Sequence, residues 1–530
     1  MKRIMQYNLI VILVFLTLGC FEFLKTSAIE KEINTIIDDI IVNNQQCPLG
    51  FECDFFQAPK DYYNVNSEMI NIYYGVHKAE SIETRKGLLF INFGGPGMNA
   101  VLAADNSQYL SKLPKEIVSD FDLVFMDPRG AGGSAFFKEL LMCSKKEIME
   151  LFQLQKNKNK SNLETDDVIK SQFLGCQDIV DNIFPFMGTN SIAKDMDRLR
   201  NILGEEQISY IGYSYGTRLG SIYSAMFPER MRAFILDSNL SPIDLNHHNN
   251  ILLHKVRNRE DILRYRYGQK AVDKLKDMIQ IVFSDKEYIT SDGIVVSKKD
   301  LEEILQEYVL IEDIDPSDDP LNKQVHQHIE ALNRALFNDD VFTDYHELLH
   351  KAKKNVAEMN ENIDVKKLVA SLLEQYRFFM MNTIVYNADE LALENMLSAS
   401  FLRQLTRQAS SIYGYLEESM INKLLKDQKV LMSARRDPVS HLENINTQLG
   451  QKKVLLFGIK YDTKTPYIMS EHMKETYGNN SILVTVDNLV QHGISFMFSG
   501  FDCVNNIATQ YLLDPTKDFH DMICDFSDYK

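Results

Sequence analysis

Five residues, Gly212-Tyr213-Ser214-Tyr215-Gly216, constrain this chain more than any other stretch because of what flanks them. The run Ile208-Ser209-Tyr210-Ile211 before them is β-branched and aromatic and reads as a buried strand. The stretch from Thr217 to Phe227 after them reads as a helix stopped by Pro228. Strand, G-x-S-x-G, helix is the pattern of a nucleophile elbow, in which a serine is held on a strained turn. The positions two before and two after the serine lack side chains, which lets strand and helix pass closely. Gly216, Gly220 and Ser224 then fall on one face of the helix, a small-residue stripe suited to tight packing on a sheet.

Around this elbow, strand and helix signals alternate from residue 68 onward. Met69 to Val76 alternates loosely, as an edge strand would. Continuous apolar runs follow: Gly87 to Phe93, ending in Gly94-Gly95-Pro96-Gly97; Asp122 to Met126, ending in Asp127-Pro128-Arg129-Gly130; and Ala233 to Asp237. Runs of this kind separated by helices predict a mostly parallel sheet covered on both faces. From Met142 to Gly188 we expect an irregular excursion whose Lys156-Asn157-Lys158-Asn159-Lys160 is a solvated loop. Between about Asp244 and Asn444 strand signals largely vanish, and Leu, Glu, Lys and Met recur at helical spacing. Strands resume at Lys453 to Gly458 and Ile482 to Val486. The expected organisation is an export segment at 1–28, a first core part at 29–243, a helical insertion at 244–445 and a second core part at 446–530.

A serine hydroxyl is a weak nucleophile at neutral pH and needs an adjacent base, which needs an orienting acid. On a sheet carrying such an elbow these partners follow in the order Ser, Asp, His, each on a loop after a strand. Asp462 stands just after the strand ending at Gly458, before Thr465-Pro466. His492 stands after the strand ending at Val486, before Gly493. Asp487 is the rival acid, but it lies too close to His492 on the same loop. The oxyanion of a tetrahedral intermediate needs backbone N–H donors, and Tyr215 and Gly95 are the candidates.

The formal net charge of −17 argues against nucleic acid or an anionic membrane surface as a partner. Lys2 and Arg3 precede an apolar run from Leu9 to Leu18, short for a membrane span and typical of an export signal. Two endings compete for it. Thr17-Leu18-Gly19-Cys20 resembles a bacterial lipoprotein box that would lipidate Cys20, although Thr17 and Leu18 fit it poorly; Thr26-Ser27-Ala28 offers a small-residue cleavage site. Either ending places the protein in the periplasm, in the cell envelope or outside the cell, with the membrane touched only through the signal or a lipid anchor. Seven cysteines less Cys20 leave an even set, as suits an oxidising compartment. Nearness in sequence pairs Cys47 with Cys53, Cys143 with Cys176 and Cys503 with Cys524; buried free thiols are the alternative.

Taken together, these segments resemble the α/β-hydrolase serine exopeptidases, the secreted tripeptidyl aminopeptidases and their proline iminopeptidase relatives. The matching pieces are Asn92 to Gly97, Asp127 to Ser134, the Ser214 elbow with its helix through Phe227-Pro228-Glu229-Arg230, Asp462 before Thr465-Pro466, and His492-Gly493. The helix-like stretch Val504 to Leu513, bracketed by Cys503 and Cys524, also looks like the family's carboxyl terminus. The resemblance covers roughly residues 45–243 and 446–530. It implies an α/β-hydrolase core with an inserted helical cap, a peptide substrate, no cofactor, and release of short peptides or residues from free amino termini through an acyl-enzyme on Ser214. It also implies cap carboxylates that hold the substrate's α-amino group; Asp389 and Glu390 are the candidates here, against a plain solvated helix end. One departure is Met98-Asn99-Ala100, where relatives usually carry glycine and serine, which bears on the mouth of the oxyanion loop.

Three other readings compete. An esterase or lipase acting on small acyl esters would use the same three residues. His346-Glu347-Leu348-Leu349-His350 matches the H-E-x-x-H of zinc peptidases, in which histidines four apart share a helix face. Lys351, Lys353 and Lys354 follow at once and would set cations beside a dication, and no third ligand has a recognisable setting, Glu374 being a guess. A non-catalytic binding protein on this fold would be expected to lack members of the Ser214, Asp462, His492 set, and all are here.

Overall fold

The computed structural model describes residues 26–105, 109–158, 176, 179, 182–241, 258, 260–282, 288–289, 295–296, 365–389, 445–498 and 500–527. Nine of the described strands form one sheet: β1 (Glu52–Pro59), β2 (Met69–His77), β3 (Leu88–Asn92), β4 (Asp122–Met126), β5 (Ile208–Tyr213), β6 (Met231–Asp237), β9 (Val454–Ile459), β10 (Ser481–Asp487) and β11 (Met522–Asp525). Their order is β1-β2-β4-β3-β5-β6-β9-β10-β11. β1 and β2 run antiparallel to their neighbours, and from β4 to β11 every pairing is parallel. The chain leaves the sheet after Asp237 and returns at Val454 in the adjacent position, so the intervening segment is an insertion between paired strands.

The central strands are apolar throughout because both faces are covered. Leu88 and Phe90, Phe234 and Leu236, Val454 and Leu456 enter the core on one face, and Leu89 and Ile91, Ala233 and Ile235, Leu455 and Phe457 enter it on the other. This is the period of two that a doubly covered sheet imposes. The helices that matter below are α1 (Thr26–Asn44), α2 (Phe137–Lys158), α3 (Thr189–Ile202), α4 (Tyr215–Met226), α5 (Val365–Asp389), α6 (Ile468–Tyr477) and α7 (Asp502–Leu513). On α1, Ile33, Ile36, Ile37 and Ile40 form one apolar stripe that packs with Phe137 and Leu141 of α2 and with Val369 and Leu373 of α5. Burial of each isoleucine contributes roughly 1.5–3 kcal/mol, so α1 is bound to both the core and the insertion.

The structure departs from the sequence reading in several places. Met69 to Val76 is not an edge strand: β2 lies between β4 and β1, and β1 forms the edge. From Met142 to Lys158 the chain is helical rather than irregular, and Leu141 and Ile148 of α2 pack with α1 and α5; residues 159–175 lie outside the described residues. Lys156 and Lys158 therefore belong to a helix, while Asn159 and Lys160 lie outside the described residues. Within the insertion, Tyr288–Ile289 (β7) and Val295–Val296 (β8) pair antiparallel, a small strand component beside the helices. All three cysteine pairs are disulfides, Cys47–Cys53, Cys143–Cys176 and Cys503–Cys524, the last joining the start of α7 to β11. Among the described residues no helix is long and apolar enough to cross a membrane. Cys20 lies outside the described residues.

Candidate active site

The elbow is built by steric exclusion. Ser214 has φ 55° and ψ −121° and caps α4, with its N–H donating to the carbonyl of Asp237 at 3.0 Å. A Cβ on Gly212 would lie 2.4 Å from the carbonyl oxygen of Gly216, and one on Gly216 would lie 2.8 Å from that of Asn92. Neither backbone oxygen can give way, so both glycines are required. Further along, a Cβ on Gly220 would lie 2.6 Å from Tyr210 on β5, which bears out the close helix-on-sheet packing of the stripe. Tyr215 begins α4 and presents its N–H beside Ser214, as a helix start leaves its first N–H groups without intrahelical partners.

Asp462 sits on the turn after β9 and is fully buried. Its Oδ1 accepts the N–H groups of Lys464 and Thr465, both at 2.8 Å, and its Oδ2 accepts the Thr465 hydroxyl at 3.0 Å. His492 Nδ1 lies 2.8 Å from Oδ1 and 3.1 Å from Oδ2. Burial alone would raise the Asp462 carboxyl, but the opposite charge available on His492, its hydrogen bond and the bonds from Thr465 and Ser238 hold it below the ordinary carboxylate value. The acid is therefore ionised at neutral pH and fixes the imidazole with Nδ1 toward it. Asp487, the rival, faces away: it pairs with Lys460 and accepts the N–H of Asn488 at 2.8 Å.

The support of the His492 loop goes beyond the sequence reading. Asp237, at the end of β6, takes the N–H groups of Ile494 at 3.0 Å and Ser495 at 2.6 Å, and the Ser495 hydroxyl at 2.6 Å, all on Oδ2. Ser238 accepts the N–H of Gly493 at 2.7 Å, and Tyr213 of β5 donates its hydroxyl to the Ser495 carbonyl at 2.6 Å. Asp237 Oδ1 is buried with no partner among the described residues, and burial pushes the carboxyl up to about 6. The same strand end that receives the Ser214 N–H thus carries the loop of His492. An acid closing a buried strand of the nucleophile's own sheet was the available sequence signal.

The loop after β3 wraps over the elbow. A Cβ on Gly94 would lie 2.4 Å from the Tyr213 carbonyl, 3.0 Å from Ser214 Cβ and 3.1 Å from Tyr215 N. The Gly94 N–H is taken by Asn92 Oδ1 at 3.0 Å, and the Gly94 carbonyl accepts from Met98 N at 3.4 Å. The Gly95 N–H has no partner among the described residues. The motif at Asp127 to Ser134 is structural. Arg129, fully buried, holds Asp195 through Nε at 2.6 Å and Nη2 at 2.8 Å, and Asp127 accepts the N–H groups of Val101 at 3.0 Å and Gly133 at 2.9 Å.

Asp389, at the end of α5, is buried and engaged. Thr189 N donates to Oδ1 at 2.8 Å, and the Thr189 hydroxyl at 2.6 Å and Arg218 Nε at 3.1 Å both donate to Oδ2. It is not a solvated helix end, and its charge is paired with Arg218. Glu390 and the His346, Glu347, His350 trio lie outside the described residues. Glu374 is on α5, paired with Arg377 at 2.7 Å. Among the described residues no group of three or more His, Cys, Asp or Glu side chains is placed to hold a metal.

Comparison with known proteins agrees with this fold. The α/β hydrolase fold family matches residues 88–270, and the TAP-like protein family matches residues 423–524. The serine protease Hip1 of Mycobacterium tuberculosis is 33% identical over 199 residues, 37% of each chain. The tripeptidyl aminopeptidase of Streptomyces lividans is 28% identical over 203 residues, 37% of this chain and 36% of that one. Carboxylesterase B of Mycobacterium tuberculosis is 33% identical over 195 residues, 36% of each. The chain thus spans little more than a third of the length of these relatives. With its doubly covered, mostly parallel sheet and its strained serine elbow, the chain has the α/β-hydrolase fold, and its carboxyl-terminal part is similar to the TAP-like proteins.

Proposed function

We propose that this protein is an exported serine peptidase that acts on peptides with free amino termini and releases short peptides or single residues through an acyl-enzyme on Ser214. The observation that carries the reading is the buried Asp462 held 2.8 Å from His492 Nδ1, on a loop that Asp237 ties to the strand end receiving the Ser214 N–H. The peptidase names of two relatives support the substrate class. The amino-terminal apolar run and three disulfides support export, with lipidation at Cys20 and cleavage after Ala28 both open.

In this reading His492 Nε2 takes the Ser214 hydroxyl proton as Oγ bonds to the scissile carbonyl carbon. The oxyanion accepts the N–H groups of Tyr215 and Gly95. Collapse breaks the carbon–nitrogen bond, and His492 passes the proton to the leaving amine. Water, deprotonated by His492, then releases the acyl group and restores the serine. Every proton moves through the chain's own side chains, so the chemistry calls for no cofactor. The α-amino-holding role is not given to Asp389, which is buried and whose charge is already paired with Arg218.

The match to carboxylesterase B favours a second reading, an esterase on small acyl esters that uses the same three residues. A panel of free and acetylated tripeptide, dipeptide and proline anilides, with short acyl esters beside them, separates the two. The exopeptidase reading requires cleavage of the free-amine anilides and its loss on acetylation. Equal rates on acetylated substrates would sink it. Retained activity in Ser214→Ala together with chelator sensitivity would turn attention to His346, Glu347 and His350.

A further inference from the structure

The loop that carries Gly95 is held by side chains of the cap. Arg377 on α5 is buried; its Nη1 donates to the Gly97 carbonyl at 3.2 Å and the Gly130 carbonyl at 3.0 Å. Its Nη2 donates to the Gly97 carbonyl at 3.2 Å and to Asn99 Oδ1 at 3.3 Å. Nε is fixed by Glu374, and the guanidinium carbon lies 5.0 Å from the ring centre of Phe137. Further along α5, Asn382 Nδ2 donates to the Pro96 carbonyl at 2.9 Å. Between them, Phe378 lies 2.9 Å from where a Cβ of Gly95 would stand, and Met381 lies 2.9 Å from where one of Gly97 would stand.

The loop needs such support. Gly94, Gly95 and Gly97 take φ of 88°, 111° and 101°, and three glycines have little conformational preference of their own. The cap supplies what the loop lacks: charged and amide donors aimed at the carbonyls of the residues on either side of the 96–97 peptide, and side chains packed on the glycines. The same helix reaches toward the second donor, because Asp389 holds Thr189, whose hydroxyl oxygen is 2.8 Å from the Tyr215 hydroxyl. An oxyanion donor is worth about 10²–10³ in kcat, but only when aimed at the forming charge.

We propose that Arg377 and Asn382 are positioning residues for the oxyanion hole, and that the cap sets catalytic geometry through them rather than only bounding the substrate. The proposal rests on the serine-hydrolase reading of Ser214. The departure at Met98-Asn99-Ala100 fits this arrangement. Asn99 accepts from Arg377 and from the Gly132 N–H at 2.8 Å, and donates to Asn44 Oδ1 of α1 at 2.6 Å, so a side chain here joins the loop to both α1 and the cap.

The test uses the full chain and three variants, Arg377→Met, Arg377→Lys and Asn382→Ala. It reads the rate at which a fluorophosphonate labels Ser214, kcat and KM on a free-amine tripeptide anilide, and thermal unfolding. Arg377→Met is expected to lower kcat and the labelling rate together by about 10²-fold, and Asn382→Ala by about 10-fold, with KM held within about 2-fold. Arg377→Lys should recover part of the rate, since an ammonium reaches one carbonyl but not the fork of partners. Folded variants that label at the wild-type rate, or that lose rate through KM alone, would overturn the proposal. Should Arg377→Met fail to fold, wild-type labelling of Asn382→Ala overturns it by itself. Wild-type protein that neither labels nor cleaves would remove the hydrolase reading first, and the proposal with it.

Discussion

Gly94→Ala is the sharpest probe of the elbow because the structure states what the added methyl would meet. The new Cβ would stand 2.4 Å from the Tyr213 carbonyl oxygen, 3.0 Å from Ser214 Cβ and 3.1 Å from Tyr215 N. Comfortable contact for a carbon is about 3.5 Å, so loop and elbow must separate by roughly 1 Å. All the neighbours are backbone or the nucleophile's own Cβ, so no flexible side chain can absorb the shift. A displacement of roughly 1 Å at reacting groups can cost about 10²-fold in rate. A positive φ of 88° adds a backbone penalty of about 1–2 kcal/mol for any L-residue. Gly204→Ala separates the two effects, since Gly204 has φ 80° and nothing within 4 Å of its Cβ position. The expected result is a loss of about 10²-fold or more in kcat and in fluorophosphonate labelling for Gly94→Ala. Gly204→Ala should lose about 1–2 kcal/mol of stability and keep its kcat. Gly94→Ala within about 3-fold of wild type, or Gly204→Ala equally inactive, would refute the steric reasoning, since about 10²-fold is required of the first alone.

Asp462→Asn should lower kcat by on the order of 10⁴-fold with little change in KM, read on the same anilide, because an amide no longer selects the His492 tautomer. The Asp462 carboxyl is held below its ordinary value, so the pairing contributes stability above the unfolded value and loses it only as pH falls through the lower folded one. Asp237 has the opposite sign: raised from 3.8 to about 6, it binds a proton in the folded state that the unfolded state has released, so stability falls as pH rises through that window. Asp237→Asn should remove up to about 1.4 kcal/mol per pH unit from that slope in denaturant titrations, leaving the part due to Asp127, also raised to about 6. An unchanged slope would refute the assignment.

The central strands are legible in the sequence because burial on both faces forces apolar runs, and the elbow because sterics forbid side chains at Gly212 and Gly216. The elements that are not legible have identifiable causes. β1 and β11 are edge strands with mixed burial, so their composition lacks the apolar signal. The helix α1 carries a clear isoleucine stripe, but it follows directly on the amino-terminal apolar run and merges with it in the pattern. The lysine-rich end of α2 hides its length.

By itself the sequence indicated the order of the candidate triad, because Ser214, Asp462 and His492 each follow a strand whose apolar run is visible locally, and nearness suggested the cysteine pairs that the structure joins. Tertiary structure alone decided who supports them. Asp237 and Ser495 stand 258 residues apart, a separation that no local pattern bridges. They meet, with Ser495 N donating at 2.6 Å, because β6 pairs with β9 and β9 with β10, which brings the loop after β10 back to the end of β6. Arg377 and Asp389 are charges on an insertion helix, and in sequence such charges read as solvated. Only the packing of α5 against the Gly95 loop and α3 buries them, and a buried charge must find partners. Patterns report which face of an element is apolar, but not which distant backbone carbonyls a buried cation will meet.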